Sequence, residues 1–243
     1  KETEYEEFHI RKINDHTRAF IKVQDGCNQF CSYCIIPFTR GRVRSRKMEN
    51  IMEEVRNLAA SGYKEIVLTG IHLSSYGLDF LDESYNKRME KLTNTCESDE
   101  EFVTKNDLLC LIENIAGIDG VERVRIGSLE PRIIKENFIK SLSKIEKFCP
   151  HFHLSLQSGC DKTLKSMNRK YTADEFFEGV KLIRKYFDSP AVTTDIIVGF
   201  PGETKKDFEE SKKFVEKVKF YETHIFPYSI RAVSYTHLRA HET

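Results

Sequence analysis

The chain contains no apolar run of about 18 residues, so no transmembrane span is indicated within it. It has no net charge either: 38 Lys and Arg balance 38 Asp and Glu. That balance argues against a general basic coat for nucleic acid, so any RNA contact must come from a local patch. No signal peptide is visible, and Lys1 is not a natural start, which leaves the true N-terminus expected elsewhere. A paired cysteine framework is also missing. Seven cysteines, an odd number with three crowded together in a long chain, do not resemble a secreted disulfide scaffold. A reducing cytoplasm is the natural reading. Hydrophobic residues make up 40%, enough for a real core in one large α/β domain or two small ones.

What is present is a rhythm of strands and helices. "RAFIKVQ" (18–24), "EIVLTG" (65–70), "VERVRIGS" (121–128), "HFHLSLQS" (151–158), "AVTTDIIVGF" (191–200) and "ETHIFPYS" (222–229) read as strands. Between them, 49–62, 107–117, 136–145, 172–187 and 205–218 read as helices. Thr172, with Glu175 three residues on, forms a capping box. Such alternation requires a parallel sheet with helical crossovers. Six units are too few for a closed eight-stranded barrel but suit an open, partial (β/α)6 TIM-like barrel of the α/β class. By barrel logic the chemistry sits at the C-terminal ends of the strands.

Two stretches break the rhythm. Residues 82–106 are polar and charged, too poor in large apolar residues to order themselves firmly, and read as a surface insertion. The end of the chain, from 232 to 243, continues no pattern and reads as one frame of a sequencing-library adapter, or else as an ordinary tail.

The stretch "GCNQFCSYC" (26–34) directly follows the first strand, which brings Cys27, Cys31 and Cys34 to the catalytic face. Their spacing is C-x3-C-x2-C. Three thiolates around a cubic [4Fe–4S] cluster leave one iron open to a small molecule bearing an amine and a carboxylate. A structural zinc site with a distant fourth ligand, His72 or His151, is the alternative, although no second C-x2-C arm exists. Phe30 and Tyr33, between the cysteines, suit a dry wall around a cluster or plain loop packing. The stretch "TRGRVRSRK" (39–47) places Arg40, Arg42, Arg44 and Arg46 at alternate positions. In an extended segment they share one face, either as a row for tRNA phosphates or as solvated charge. Cys110, Cys149 and Cys160 are too scattered for a second cluster and read as buried or incidental thiols, as does Cys96.

These residues, with "LTGIHLSSYG" (68–77), "GSLEPR" (127–132), "CPHFHLSLQSGCD" (149–161), "MNRKYT" (167–172) and "DIIVGFPGET" (195–204), resemble the tRNA methylthiotransferases of the radical S-adenosylmethionine (SAM) superfamily. The branch most similar acts on N6-threonylcarbamoyladenosine beside the anticodon. The resemblance covers a radical SAM core at 16–231. It implies one cluster on Cys27, Cys31 and Cys34, reductive cleavage of SAM to a 5′-deoxyadenosyl radical, hydrogen removal from C2 of the adenine, and transfer of sulfur and a methyl group.

It further implies a SAM site at the strand ends. Thr69 and Gly70 meet the methionine amino group, and Ser128, Glu130 and Gln157 converge on the same site. Arg169 faces the carboxylate, and Gly199, Pro201 and Gly202 cradle the adenine. The partners implied are a tRNA anticodon loop and a flavodoxin- or ferredoxin-like electron donor. The family also carries an N-terminal domain with a second [4Fe–4S] cluster as sulfur donor, so residues 1–15 read as the linker leaving it. The sister reactions on isopentenyl-adenosine or a ribosomal protein, and a non-catalytic zinc or RNA module, stand as alternatives.

Overall fold

The structure is a computed structural model, and it describes residues 17–80 and 107–229. The readings made for 1–15, 82–106 and 232–243 lie outside the described residues. Six parallel strands carry the architecture: β1 (Arg18–Asp25), β3 (Glu65–Gly70), β4 (Arg123–Ile126), β5 (His151–His153), β6 (Ala191–Val198) and β7 (Glu222–Pro227). The short β2 (Arg44–Ser45) pairs antiparallel with the end of β1. The sheet orders are β2-β1-β3-β4 and β5-β6-β7. Single parallel bridges Val124–Phe148 and Leu129–Leu154 join the two into one curved surface. The partial barrel expected from the alternation is therefore present.

Helices α1 (Ile36–Thr39), α2 (Met48–Ala60), α3 (Asp107–Ala116), α4 (Glu136–Leu142), α5 (Asp161–Ser166), α6 (Ala173–Tyr186) and α7 (Lys205–Val218), with 3-10 turns at Leu73–Ser75 and Pro131–Ile133, complete the described elements. The core lies between strands and helices. Ile51, Val55 and Leu58 of α2 and Leu108, Leu111, Ile112 and Ile115 of α3 bury their apolar stripe against Ile21, Ile66, Leu68 and Val124. Phe152 of β5 meets Phe148 and Phe187 at ring-centre distances of 5.7 and 5.1 Å. Capping boxes at Thr172/Glu175 and Thr204/Asp207 start α6 and α7. Each satisfies N–H groups that the first helical turn leaves without partners.

The fourth strand is shorter than the expected 151–158. After His153 the chain leaves the ladder, and Gln157 adopts a positive φ of 71°. Its backbone still bonds Asp195 O and Ile197 N, so the bend is fixed rather than loose.

Candidate functional site at the strand ends

The loop after β1 turns sharply at Gly26, whose φ is 69°. A Cβ at that position would stand 1.9 Å from the Arg42 carbonyl oxygen. Glycine is therefore required twice, for the turn and for the close approach of the 41–43 backbone. Cys27 N–H then donates to Gly41 O at 3.1 Å. Phe30 also holds a positive φ, 50°. Asn168 Nδ2 donates to Phe30 O at 2.8 Å, Ser32 N donates to Met167 O at 3.1 Å, and Ser32 Oγ donates to Ser166 O at 2.9 Å. Segment 166–169 thus acts as a clamp on the cysteine loop.

Cys27 and Cys31 are buried and Cys34 is partly so. Burial pushes the Cys27 thiol up to about 11, and charge on Cys31 and Cys34 pushes in the same direction against one bond from Gln29 N–H. Binding a metal centre there must displace that proton. Cys27, Cys31 and Cys34 share one short, clamped loop, and three soft thiolates are the donor type an iron–sulfur cluster takes. The residues present therefore fit a thiolate-bound iron–sulfur group.

Arg169 links this loop to the strand ends. Its Nη1 donates to Cys31 Sγ at 3.2 Å, Nη2 to Ser155 O at 2.9 Å and Nε to the Tyr171 hydroxyl at 2.8 Å. Tyr33 stands edge-on to Phe200 at 6.3 Å, and Phe200 to Tyr228 at 5.3 Å, forming an aromatic wall beside the loop. Gly199 and Gly202 have φ of 72° and 82°, and a Cβ on either would meet open space. They serve the turn, then, not a close protein contact, with exposed Pro201 between them. Thr69 Oγ1 donates to Ile21 O at 3.2 Å, and Gly70 packs on Gln24. Ser128 is exposed at the end of β4, and Gln157 is buried. Glu130 is buried and accepts from Arg132 Nε at 2.8 Å, while Arg132 Nη2 reaches Gln29 Oε1 at 3.3 Å.

Three participants escaped the sequence reading. Gln24, fully buried, donates to Asp25 O and Gly26 O and accepts from His72 N at 2.7 Å, stitching the loops after β1 and β3 together. Arg132 and Asn168 were the others, and their signal was adjacency to Glu130 and Arg169. His72, one of the two histidines the sequence offered as a distant zinc ligand, lies in the same region. Its Nδ1 pairs with Ser75 Oγ at 2.6 Å, and its buried Nε2 has no hydrogen-bond partner.

Burial lowers the His72 ring pKa from 6.5 to about 4, with Arg169 and Arg132 reinforcing and Glu130 opposing. The unfolded chain therefore binds a proton that the folded chain refuses across that window. Stability should fall as pH drops from about 6.5 to about 4, by about 1.4 kcal/mol per pH unit from this group. Urea unfolding of the parent and of His72→Asn over that range checks it. The variant should have the flatter curve, and parallel curves would count against a buried neutral His72.

The arginines do not form one exposed row, which corrects the shared-face expectation. Only Arg44 lies in a strand, a two-residue one, so alternation does not persist along the segment. Arg46 is buried in an ion pair with Glu54 of α2. Arg44, mostly covered, sits 3.6 Å from Asp25 and donates to Arg40 O. Burial works against the Asp25 charge, but hydrogen bonds from Lys22 and Gly26 N–H, with the Arg40 charge, hold its carboxyl below the usual range. Arg40 and Arg42 remain exposed, and Arg42 lies over the Phe30 ring at 4.7 Å.

A partial barrel with a three-cysteine loop at its strand ends defines a class of protein, and comparison bears the class out. The family model described as Radical SAM superfamily matches residues 21–215. The chain belongs to that superfamily. It is 40% identical over 227 residues to a Bacillus subtilis protein named threonylcarbamoyladenosine tRNA methylthiotransferase MtaB, covering 93% of this chain and 46% of that one. It is 42% identical over 223 residues to a Thermoanaerobacter tRNA-2-methylthio-N(6)-dimethylallyladenosine synthase, covering 91% of this chain and 42% of that one. The chain thus spans less than half the length of these relatives.

Solved structures agree on the fold. The radical S-adenosylmethionine methyltransferase TsrM from Kitasatospora setae, with cobalamin and a [4Fe–4S] cluster bound, superposes with a TM-score of 0.62 at 16% identity, over 92% of this chain and 39% of that one. Coproporphyrinogen III oxidase HemN from Escherichia coli gives 0.53 at 14% identity, over 90% and 46%.

Proposed function

We propose that this chain is the catalytic core of a tRNA methylthiotransferase that acts on N6-threonylcarbamoyladenosine next to the anticodon. The observation that carries it is the clamped loop of Cys27, Cys31 and Cys34 at the strand ends, in a chain about 40% identical to enzymes so named. A [4Fe–4S] cluster held by the three thiolates supplies, when bound, the electron that cleaves SAM.

The remaining work belongs to the protein's own residues. Arg169 fixes Cys31 through its sulfur contact and presents a cation where the SAM carboxylate binds. Thr69, Gly70, Ser128, Glu130 and Gln157 place polar groups around the same strand ends. Gly199, Pro201 and Gly202 leave room for the adenine, because no protein atom fills the space beside either glycine. Phe30, Tyr33 and Phe200 exclude water from the loop. The electron comes from a flavodoxin- or ferredoxin-like donor, and the setting is cytoplasmic. No described helix is long and apolar enough to cross a membrane.

Sulfur insertion requires a second cluster. Among the described residues, Cys110, Cys149 and Cys160 lie on α3, before β5 and before α5, which is no compact ligand set. We assign that cluster to the part of the relatives this chain does not span. Dimethylallyladenosine is the second substrate reading, favoured by the relatives at 42% identity.

The test is anaerobic reconstitution, followed by reduction with SAM and tRNA carrying one or the other modified adenosine. About four irons per chain and release of 5′-deoxyadenosine are expected, stimulated more by the threonylcarbamoyl tRNA. A colourless protein holding zinc on sulfur would refute the enzyme reading, and stronger stimulation by the dimethylallyl tRNA would reverse the substrate assignment.

Exposed Arg40 and Arg42 are assigned to tRNA phosphates, with Arg44 and Arg46 holding the segment in place. The pair Arg40→Ala and Arg42→Ala should lower the log–log salt slope of tRNA binding by about 1–2. SAM cleavage without RNA should be unchanged. Filter binding across a salt series measures the slope, and an unaltered value would remove both residues from the interface.

A further inference from the structure

A second cluster of ligating side chains lies on the face of the sheet turned away from the helices. On β6, Val192 and Ile196 enter the helix-covered core, as Phe152 does on β5. Side chains alternate along a strand, so His153, Thr193 and Asp195 share the opposite face. Register then brings in a third strand: His153 pairs with Thr193, and Asp195 pairs with His224 of β7. Three adjacent parallel strands thereby deliver His153, Asp195 and His224 to one spot.

Their ligand atoms all lie within 4.8 Å of one another. His153 Nε2 is 3.2 Å from Asp195 Oδ2, and the two imidazole rings are 6.0 Å apart, centre to centre. Two donors about 2.1 Å from a shared ion stand about 3.0 Å apart at a right angle and about 3.4 Å apart at the tetrahedral angle, so the His153–Asp195 spacing is that of neighbouring ligands. The other ring nitrogen of His153 is taken: Nδ1 lies 2.9 Å from Thr193 Oγ1. That contact orients the ring and leaves Nε2 as the ligand atom, as metal-bound histidines usually require. His153 and Asp195 are partly buried and His224 is exposed, so the spot is open to entry from solvent.

We infer that His153, Asp195 and His224 form a site for a borderline divalent cation of the zinc, iron(II) or cobalt(II) type. Two imidazoles and one carboxylate suit such ions better than calcium or magnesium, which prefer all-oxygen shells. The three protein ligands come from a single face of the sheet, so the remaining coordination positions point away from it. An oxygen donor, whether water or a substrate carboxylate, is the group that would fill them. The site shares no ligand with the cysteine loop. It lies in mid-strand, four residues before Gly199, about 13 Å by strand rise.

The test uses the cluster-reconstituted full chain equilibrated with zinc alone. Metal analysis should find about one zinc per chain beyond the cluster iron. X-ray absorption at the zinc edge should give nitrogen and oxygen neighbours at about 2.0–2.1 Å, without the sulfur shell at about 2.3 Å that stray thiols would produce. His224→Ala changes an exposed side chain and leaves the core intact, and loss of this ligand should weaken zinc binding at least about tenfold. Asp195→Asn should do the same, with iron content and SAM cleavage without RNA unaltered in both. Absence of extra zinc, a sulfur shell, or full zinc retention in His224→Ala would each overturn the site and reduce the trio to a hydrogen-bonded pair beside a surface histidine. Because zinc uptake is read apart from iron and SAM cleavage, either assignment can fail alone.

Discussion

Cys31→Ala should abolish cluster loading and, with it, SAM cleavage, while leaving the fold in place. Cys31 is held both at its backbone and at its sulfur. It is buried, Cys34 N donates to its carbonyl at 2.9 Å, and Arg169 Nη1 bonds its sulfur. Removing the sulfur leaves two thiolates for a group that needs three, and leaves the Arg169 fork aimed at a methyl group. Ligands of one centre act as a unit, so the loss should be close to complete rather than partial. Cys27→Ala and Cys34→Ala should match it. Iron analysis and 5′-deoxyadenosine production after reconstitution provide the readings, with far-UV circular dichroism as the control for folding. Near-normal iron and turnover in any one of the three variants would remove that residue from the ligand set.

Gly26→Ala should be nearly as damaging, by a different route. Alanine at a φ of 69° costs about 1–2 kcal/mol on backbone grounds alone. Its methyl group would also sit 1.9 Å from the Arg42 carbonyl oxygen, where no side chain can rotate away to relieve the overlap. The backbone from 41 to 43 must then shift, breaking the Cys27 N–H to Gly41 O bond and moving the first ligand. Gly62→Ala separates the two costs, since Gly62 has a φ of 95° but nothing within 4 Å of its virtual Cβ. Denaturant midpoints should place Gly26→Ala well below Gly62→Ala, and only Gly26→Ala should lose iron loading. Equal midpoints with normal iron content would show that the loop tolerates the methyl.

The elements easiest to read in advance were those stabilised locally. Helix α7 has the expected bounds, 205–218, and the Thr172–Glu175 capping box is formed, because caps and amphipathic spacing are short-range properties. Strand β3 also matches, since a short apolar run ending in glycine suits a buried parallel strand. Strand β5 ran too long in the reading. "LSLQS" alternates like a strand, but only the positive φ at Gln157 reveals the turn, and no neighbouring residue signals it. Strand β2 was invisible, being two residues held only by pairing with β1. The arginine row failed for the same reason. Its alternation was real, but the partner that buries Arg46 is Glu54, supplied by a helix packed against it.

The sequence by itself determined the fold class, the order of strands and helices, and the three cysteines placed after the first strand. Periodicity and spacing are written into neighbouring residues, and they need no tertiary contact to be read. Only the tertiary structure decided what holds the site. Segment 166–169 clamps a loop more than 130 residues earlier, as in the 138-residue separation between Arg169 and Cys31. Gln24 bonds across to His72, and His153, Asp195 and His224 meet through the register of three strands. Such contacts depend on how the sheet curves and in which register its strands pair, and those are settled by burial of the whole core, not by any stretch of the chain that could be read alone.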